Sequence, residues 1–153
     1  TLDKCSLIGA NTKIWHYCHI YSTSKIGKNC IIGQNVMIGP NVEVGDGCKI
    51  QNNVSIYEGV TLKENVFVGP SVVFTNVMFP RAHIEQKNNF KETIVNEGCT
   101  IGANSTIVAG NDLGEYSMIG AGSVVTKKVN PFTLVFGNPA KFKYKIDSQG
   151  NRI

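Results

Sequence analysis

Three histidines, His16, His19 and His83, are the side chains whose unperturbed charge changes near neutral pH. Each can act as a general base or as a metal ligand. His16 and His19 stand three apart beside Trp15, whereas His83 stands alone much further on. A catalytic zinc site needs three protein ligands converging on one ion, and this spacing offers two in one short stretch. No C-x-x-C pair, Walker loop or G-x-G-x-x-G fingerprint is present. The remaining candidates are binding and orienting groups. Arg81, directly after Pro80, presents a guanidinium fork suited to a diphosphate or a carboxylate. Asn76 is not a base, but its amide can orient a reacting group or hydrogen-bond to one. Gln51, Asn52, Tyr57 and Glu58 gather hydrogen-bonding side chains where the flanking sequence is rich in Gly and Asn.

These residues are set in a strict internal repeat. Read in sixes, an aliphatic residue or Phe opens each unit at Leu2, Ile8, Ile14, Ile20, Ile26, Ile32, Ile38, Val44, Ile50, Ile56, Leu62, Val68 and Phe74. A small or β-branched residue, or Cys, returns four places later. A period of six is no multiple of 3.6, and a hairpin sheet would alternate with period two. It fits short strands joined by tight turns, the hexapeptide pattern of a parallel β-helix. Asn11, Asn29, Asn35, Asn41, Gly47, Asn53, Gly59 and Asn65 hold the fourth place, and these types tolerate positive φ at low cost. Residues eighteen apart should therefore stack in neighbouring coils about 4.8 Å apart, with Cys30, Cys48 and Val66 in one column.

The register fails after Val77 and resumes at Val95, Ile101, Ile107, Leu113, Ile119 and Val125. About fifteen extra residues lie between, a length that in a compact domain usually serves function. The expected organisation is an all-β parallel β-helix over residues 1–130, with an inserted loop at about 78–94. Residues 131–153 form a C-terminal cap and tail, with Phe132, Leu134, Val135 and Phe136 available to cover the stack. Within it, Lys141, Lys143 and Lys145 alternate with Phe142, Tyr144 and Ile146 as an extended segment with one basic side.

The formal charge of +4 is mild, and the basic residues collect in the last third (Lys127, Lys128, Lys141, Lys143, Lys145, Arg152) with Arg81, Lys87 and Lys91 near the middle. This distribution suits small anionic ligands better than nucleic acid. No apolar run reaches the ~20 residues of a membrane span, and no charged-then-apolar leader pattern occurs. Five cysteines (Cys5, Cys18, Cys30, Cys48, Cys99) include four on the returning small position. They read as core residues in a reducing, cytoplasmic compartment.

The hexads, the corner loop and the ending GAGSVVTKKVNPFTLVFGNPAK resemble the left-handed β-helix acyltransferases of the hexapeptide-repeat family. The stretches IWHYCHI, GQNVMIG, KIQNNVSIYEGVTLKENVFVGPSVVFTNV and PRAHIEQK are similar to its subfamily of nucleotide-linked 3-amino-3-deoxysugar N-acetyltransferases, which serve bacterial surface glycans. The resemblance implies a left-handed coil, a homotrimer, and acetyl-CoA lying in the groove between subunits as co-substrate, without a metal. It places Asn76 beside the reacting amine and His83 in the loop where many relatives carry a base. It also gives the sugar nucleotide to His16, Gln51, Asn52, Tyr57, Glu58 and Arg81. Gly102, Ala103, Gly120 and Ala121 would admit pantetheine, with Lys127 and Lys141 at the coenzyme phosphates. Both a dTDP-linked 3-amino-3,6-dideoxyhexose and a UDP-linked 3-amino uronic acid remain open as acceptor.

Two other functions suit the same fold. A zinc hydratase of the γ-type carbonic anhydrase kind needs three histidines from facing coils, which His16, His19 and His83 do not supply. The other is a non-catalytic β-helix binding protein; the long loop, Arg81 with Asn76 and the basic ending argue against a plain structural rod.

Overall fold

Two-residue strands recur every six residues and wind the chain into a three-sided coil. The structure, a computed structural model, describes residues 1–4 and 6–153; Cys5 lies outside the described residues. One side stacks Leu7–Ile8, Lys25–Ile26, Glu43–Val44, Val60–Leu62 and Thr93–Val95. The second stacks Lys13–Ile14, Ile31–Ile32, Lys49–Ile50, Phe67–Val68, Thr100–Ile101 and Met118–Ile119 before the C-terminal hairpin. The third stacks His19–Ile20, Met37–Ile38, Ser55–Ile56, Val73–Phe74, Thr106–Ile107 and Val124–Val125. Neighbouring strands within these stacks are parallel, with Ile8 opposite Ile26 and Ile31 opposite Lys49. This eighteen-residue register is the one the hexads dictate. The all-β fold with no helix among the described residues is that of a left-handed β-helix, a known exception to right-handed crossovers.

The coil holds because opener and returning residue both point inward. Ile20, Ile32, Ile38, Ile50 and Ile56 have no exposed surface and Phe74 has 1%. Each such side chain contributes about 1.5–3 kcal/mol on burial. Ile14 is only partly buried, and Leu2 stays 56% exposed in the terminal coil, which has a neighbour on one side only.

The cysteines at the returning position are free thiols and do more than fill space. Cys18 Sγ donates to the Gly33 carbonyl (3.0 Å), Cys30 Sγ to that of Gly45 (3.2 Å) and Cys48 Sγ to that of Lys63 (3.0 Å). Thr12 and Ser105 make the equivalent bond through their hydroxyls, to Gly27 and Gly120. The position thus takes small side chains, either a buried valine as at Val36, Val42, Val54, Val66 and Val72 or a Cys, Ser or Thr that donates to a corner carbonyl. Burial pushes the Cys48 and Cys99 thiols up to about 12 and raises that of Cys30.

The fourth place turns the corners as expected: Asn11, Asn29, Asn35, Asn41, Asn53, Asn65 and Asn104 have φ between 56° and 62°. Tyr17, at 62°, keeps the same conformation with a bulky ring.

The inserted segment runs from the end of the Val73–Phe74 strand to the start of Thr93–Val95. Its base is fastened to the coil: Lys91 N donates to Asn76 O (2.8 Å) and Thr93 N to Gly59 O (2.9 Å). Beyond that base Phe79 is 76% exposed, and Met78 and Ile84 are also open.

At the other end, Thr133–Gly137 adds a parallel strand to the second side and turns back as Ala140–Lys145. Val135 and Ile146 are buried, Phe132 stacks on Tyr116 at 5.4 Å between centroids, and Phe136 stays 44% exposed beneath Lys143 Nζ at 4.0 Å.

Candidate functional site

The sequence-predicted residues fall on two different edges of the three-sided coil. The first edge follows the second sheet and carries Trp15–Tyr17, Gly33–Asn35, 51–53, 69–71, 102–104 and 120–122 in successive coils. Backbone bonds link these corners: Asn35 N to His16 O, Asn53 N to Gln34 O, Ser71 N to Asn52 O, Asn104 N to Pro70 O and Gly122 N to Ala103 O. Thus His16, Gln51, Asn52, Gly102, Ala103, Gly120 and Ala121 share one edge. Gln51 and Asn52 line a shallow cavity of about 260 Å³ with Trp15 and Gln34. Asn52 Oδ1 accepts from the Gln34 backbone N–H at 2.9 Å.

Further along, the edge narrows to small residues, and packing alone accounts for the glycines. A Cβ at Gly102 would lie 2.5 Å from Ala121 N, and one at Gly120 would lie 2.6 Å from Phe136 Cβ. Ala103 and Ala121 are the small side chains turned outward there.

The second edge follows the third sheet and carries Tyr57, Glu58, Asn76 and the inserted loop. Asn76 Nδ2 donates to the Glu58 carbonyl at 2.9 Å, and the Glu58 carboxylate accepts from Asn41 Nδ2 at 2.7 Å. Asn76 does not share the positive φ of the corner asparagines. Its side chain ties the root of the loop to the coil below. With one N–H so engaged, its carbonyl oxygen is the group left to accept a hydrogen bond from a ligand. Thr75 supports the same point, its hydroxyl accepting from Ala109 N at 2.9 Å.

Arg81 and His83 lie in the exposed outer loop. Arg81 Nη1 donates only to the neighbouring Pro80 carbonyl (3.0 Å) among the described contacts. His83 is exposed. Of the other histidines, His19 stacks on Tyr21 at 4.4 Å and reaches Asp3 at 3.3 Å, whereas His16 projects outward. Among the described residues no three His, Cys, Asp or Glu side chains converge as a metal would require. No helix of the described residues is long and apolar enough to cross a membrane.

Lys127 and Lys141 come together across 14 residues of sequence (141 − 127) because the hairpin folds back on the last coil. They line a cavity of about 330 Å³ with Lys128, Pro139 and Phe142. Lys128 is paired with Asp112 at 3.3 Å. Sequence reasoning missed Gln34 and Asn41, both masked by the repeat: an amide in a corner unit looks like every other turn residue. Counting eighteen back from Asn52 would have found Gln34, whereas Asn41 lies seventeen back from Glu58, off the coil period.

Comparison with known proteins follows this geometry. Residues 14–77 and 35–141 match the family described as the GMPPB C-terminal domain. A dTDP-3-amino-3,6-dideoxy-α-D-galactopyranose 3-N-acetyltransferase of Aneurinibacillus thermoaerophilus is 58% identical over 55 residues, covering 36% of this chain and 29% of that protein. A variant of GDP-perosamine N-acetyltransferase from Caulobacter crescentus, solved with CoA and GDP-perosamine, superposes with a TM-score of 0.73. The identity is 20%, over 90% of this chain and 57% of that one. Galactoside acetyltransferase in complex with coenzyme A gives 0.71 at 26% identity, covering 83% of this chain and 66% of that one. The chain therefore spans less than two thirds of each of these proteins.

Proposed function

The chain belongs to the GMPPB C-terminal domain family, and on that premise we propose that it is an acetyl-CoA-dependent N-acetyltransferase. Its acceptor is the 3-amino group of a dTDP- or UDP-linked 3-amino-3-deoxysugar. The observation that carries this reading is the 58% identity over 55 residues to an enzyme named for that reaction. The coil stack, shared with sugar acetyltransferases solved with coenzyme A, supports it at the level of fold.

The reaction needs a neutral amine, alignment with the thioester carbonyl and stabilisation of the oxyanion. The amine nitrogen attacks the carbonyl carbon, and the tetrahedral intermediate collapses with loss of the C–S bond. The proton shed by nitrogen ends on the coenzyme thiolate or in solvent. Asn76 suits the alignment step, because the Glu58 carbonyl fixes one amide N–H and leaves Oδ1 to accept from the amine. Arg81 serves the diphosphate, and Lys127 with Lys141 the coenzyme phosphates, across the cavity they share. The sugar-side residues are themselves split between two edges of one chain, His16, Gln51 and Asn52 on the first and Tyr57, Glu58 and Asn76 on the second. A complete site on this reading therefore combines one edge with the other edge of a neighbouring copy. A homotrimer meets that need with closed symmetry.

The test is release of free thiol from acetyl-CoA against a panel of dTDP- and UDP-linked 3-amino sugars. Turnover with at least one member and none with the 3-hydroxy analogues is expected. Failure with the whole panel removes the reading.

A further inference from the structure

The first edge changes character along its length, and its opening coil is out of keeping with the rest. Where later coils place Gly33, Gly69, Gly102 and Gly120, the first places Trp15, 56% exposed; where they place Asn35, Asn53 or Gly122, it places Tyr17, 81% exposed. Tyr17 holds a φ of 62°, a conformation costing a bulky residue about 1–3 kcal/mol. The rings bury little surface in this chain, so coil packing does not explain them. Directly beyond stand three amide side chains, of Gln34, Gln51 and Asn52, which share with Trp15 the walls of one cavity of about 260 Å³. Asn52 spends its oxygen on the Gln34 backbone, which leaves its amide N–H groups as the donors it can offer a ligand.

We propose that this cavity is the seat of a nucleobase: the base stacks on Trp15 while Gln34, Gln51 and Asn52 read its edge. An aromatic face with adjoining amides supplies both kinds of contact that a base offers, π-stacking and paired donors and acceptors. The assignment rests on the sugar-nucleotide reading and deepens it, giving the nucleotide an end and a direction along the edge. Base sits at the N-terminal coils, and the sugar extends toward the later ones.

Trp15 is the single tryptophan of the chain, so the wild-type protein carries its own reporter. Titration with UDP or dTDP, read by tryptophan fluorescence, is expected to give saturable quenching, and inorganic diphosphate none. Trp15→Ala should weaken nucleotide binding by roughly 5- to 150-fold, the range of one base–aromatic stack, measured by calorimetry. It should raise KM for the sugar nucleotide in the acetyl-transfer assay and leave kcat and the oligomeric state in place. Trp15→Phe should recover most of the affinity. Quenching by nucleotides without acetyl transfer would uphold the seat and reject the transferase reading. Acetyl transfer with unchanged KM in Trp15→Ala would do the reverse. Quenching by diphosphate as strong as by UDP and dTDP would also overturn the seat, as would a Trp15→Ala protein that loses only its assembly.

Discussion

The coil and the loop inserted into it are built from the same kind of chain and differ in where their polar groups go. In the coil, backbone N–H groups meet carbonyls of the adjacent turn, and Cys and Ser side chains at the returning position meet corner carbonyls. In the outer loop, residues 78–85 are exposed, and Arg81 bonds only its neighbour among the described contacts. The coil is rigid because every turn repeats the same bonds; the loop is left with surface to offer. Asn76 stands on the boundary, hydrogen-bonded into the coil at its side chain and into the loop at its carbonyl.

The largest effect should come from breaking the coil. Phe74 is the bulkiest fully buried side chain and immediately precedes the loop root. Phe74→Ala should cost about 3–5 kcal/mol, lowering Tm in calorimetry together with activity. Shortening the outer loop by replacing residues 79–88 with a Gly-Ser linker should leave Tm within a few degrees and abolish acetyl transfer. If the two changes behaved alike, the division between scaffold and working loop would be wrong.

Asn76→Ala sharpens the boundary. Loss of one half-buried hydrogen bond should cost about 0.5–1.5 kcal/mol of stability. Misalignment of the amine should lower kcat on the order of 10²-fold with little change in KM. Unchanged turnover would remove Asn76 from the mechanism and leave it as the fastener of the loop.

The division also explains what the sequence could disclose. The period of six carries strand positions, inward residues and turn conformations because each is repeated at every coil, so Asn29, Asn35 and Asn41 reinforce one another. The insertion showed as a 21-residue step from Phe74 to Val95. What did not show is which edge each side chain joins. Gln51 and Tyr57 are one hexad apart yet sit on different corners, and only counting in eighteens separates them. Asn76 stands out in the sequence as the place where the repeat gives way, and its lack of positive φ is visible only in the backbone. The bond from Asn41 to Glu58 joins residues seventeen apart, one short of the coil period, so the repeat gives no hint of it.

The buried thiols offer a milder probe of the coil. Cys48 and Cys99 are raised by burial to about 12 from an ordinary 9.0. A raised thiol favours the folded state's protonated form, so their contribution is whole below pH 9.0 and declines as pH climbs from there toward about 12. Tm should therefore be flat in this respect up to pH 9 and fall above it. In native protein at pH 8 the four described cysteines should resist a thiol reagent, and all should react in denaturant. Rapid native labelling of Cys48 would mean that the coil opens far more readily than its burial implies.

His83→Ala should produce the smallest effect. The side chain is exposed in the outer loop, and a neutral amine attacking a thioester needs no strong base, since the thiolate leaves readily. Turnover at saturating substrate should stay within about threefold of wild type, well below the 10²–10⁴-fold that a general base contributes. The pH profile should keep its shape, because the ionisation that limits attack belongs to the amine of the acceptor. A thousandfold loss, with the acidic limb of the profile flattened, would transfer the proton-accepting role to His83. The loop would then supply chemistry as well as binding surface.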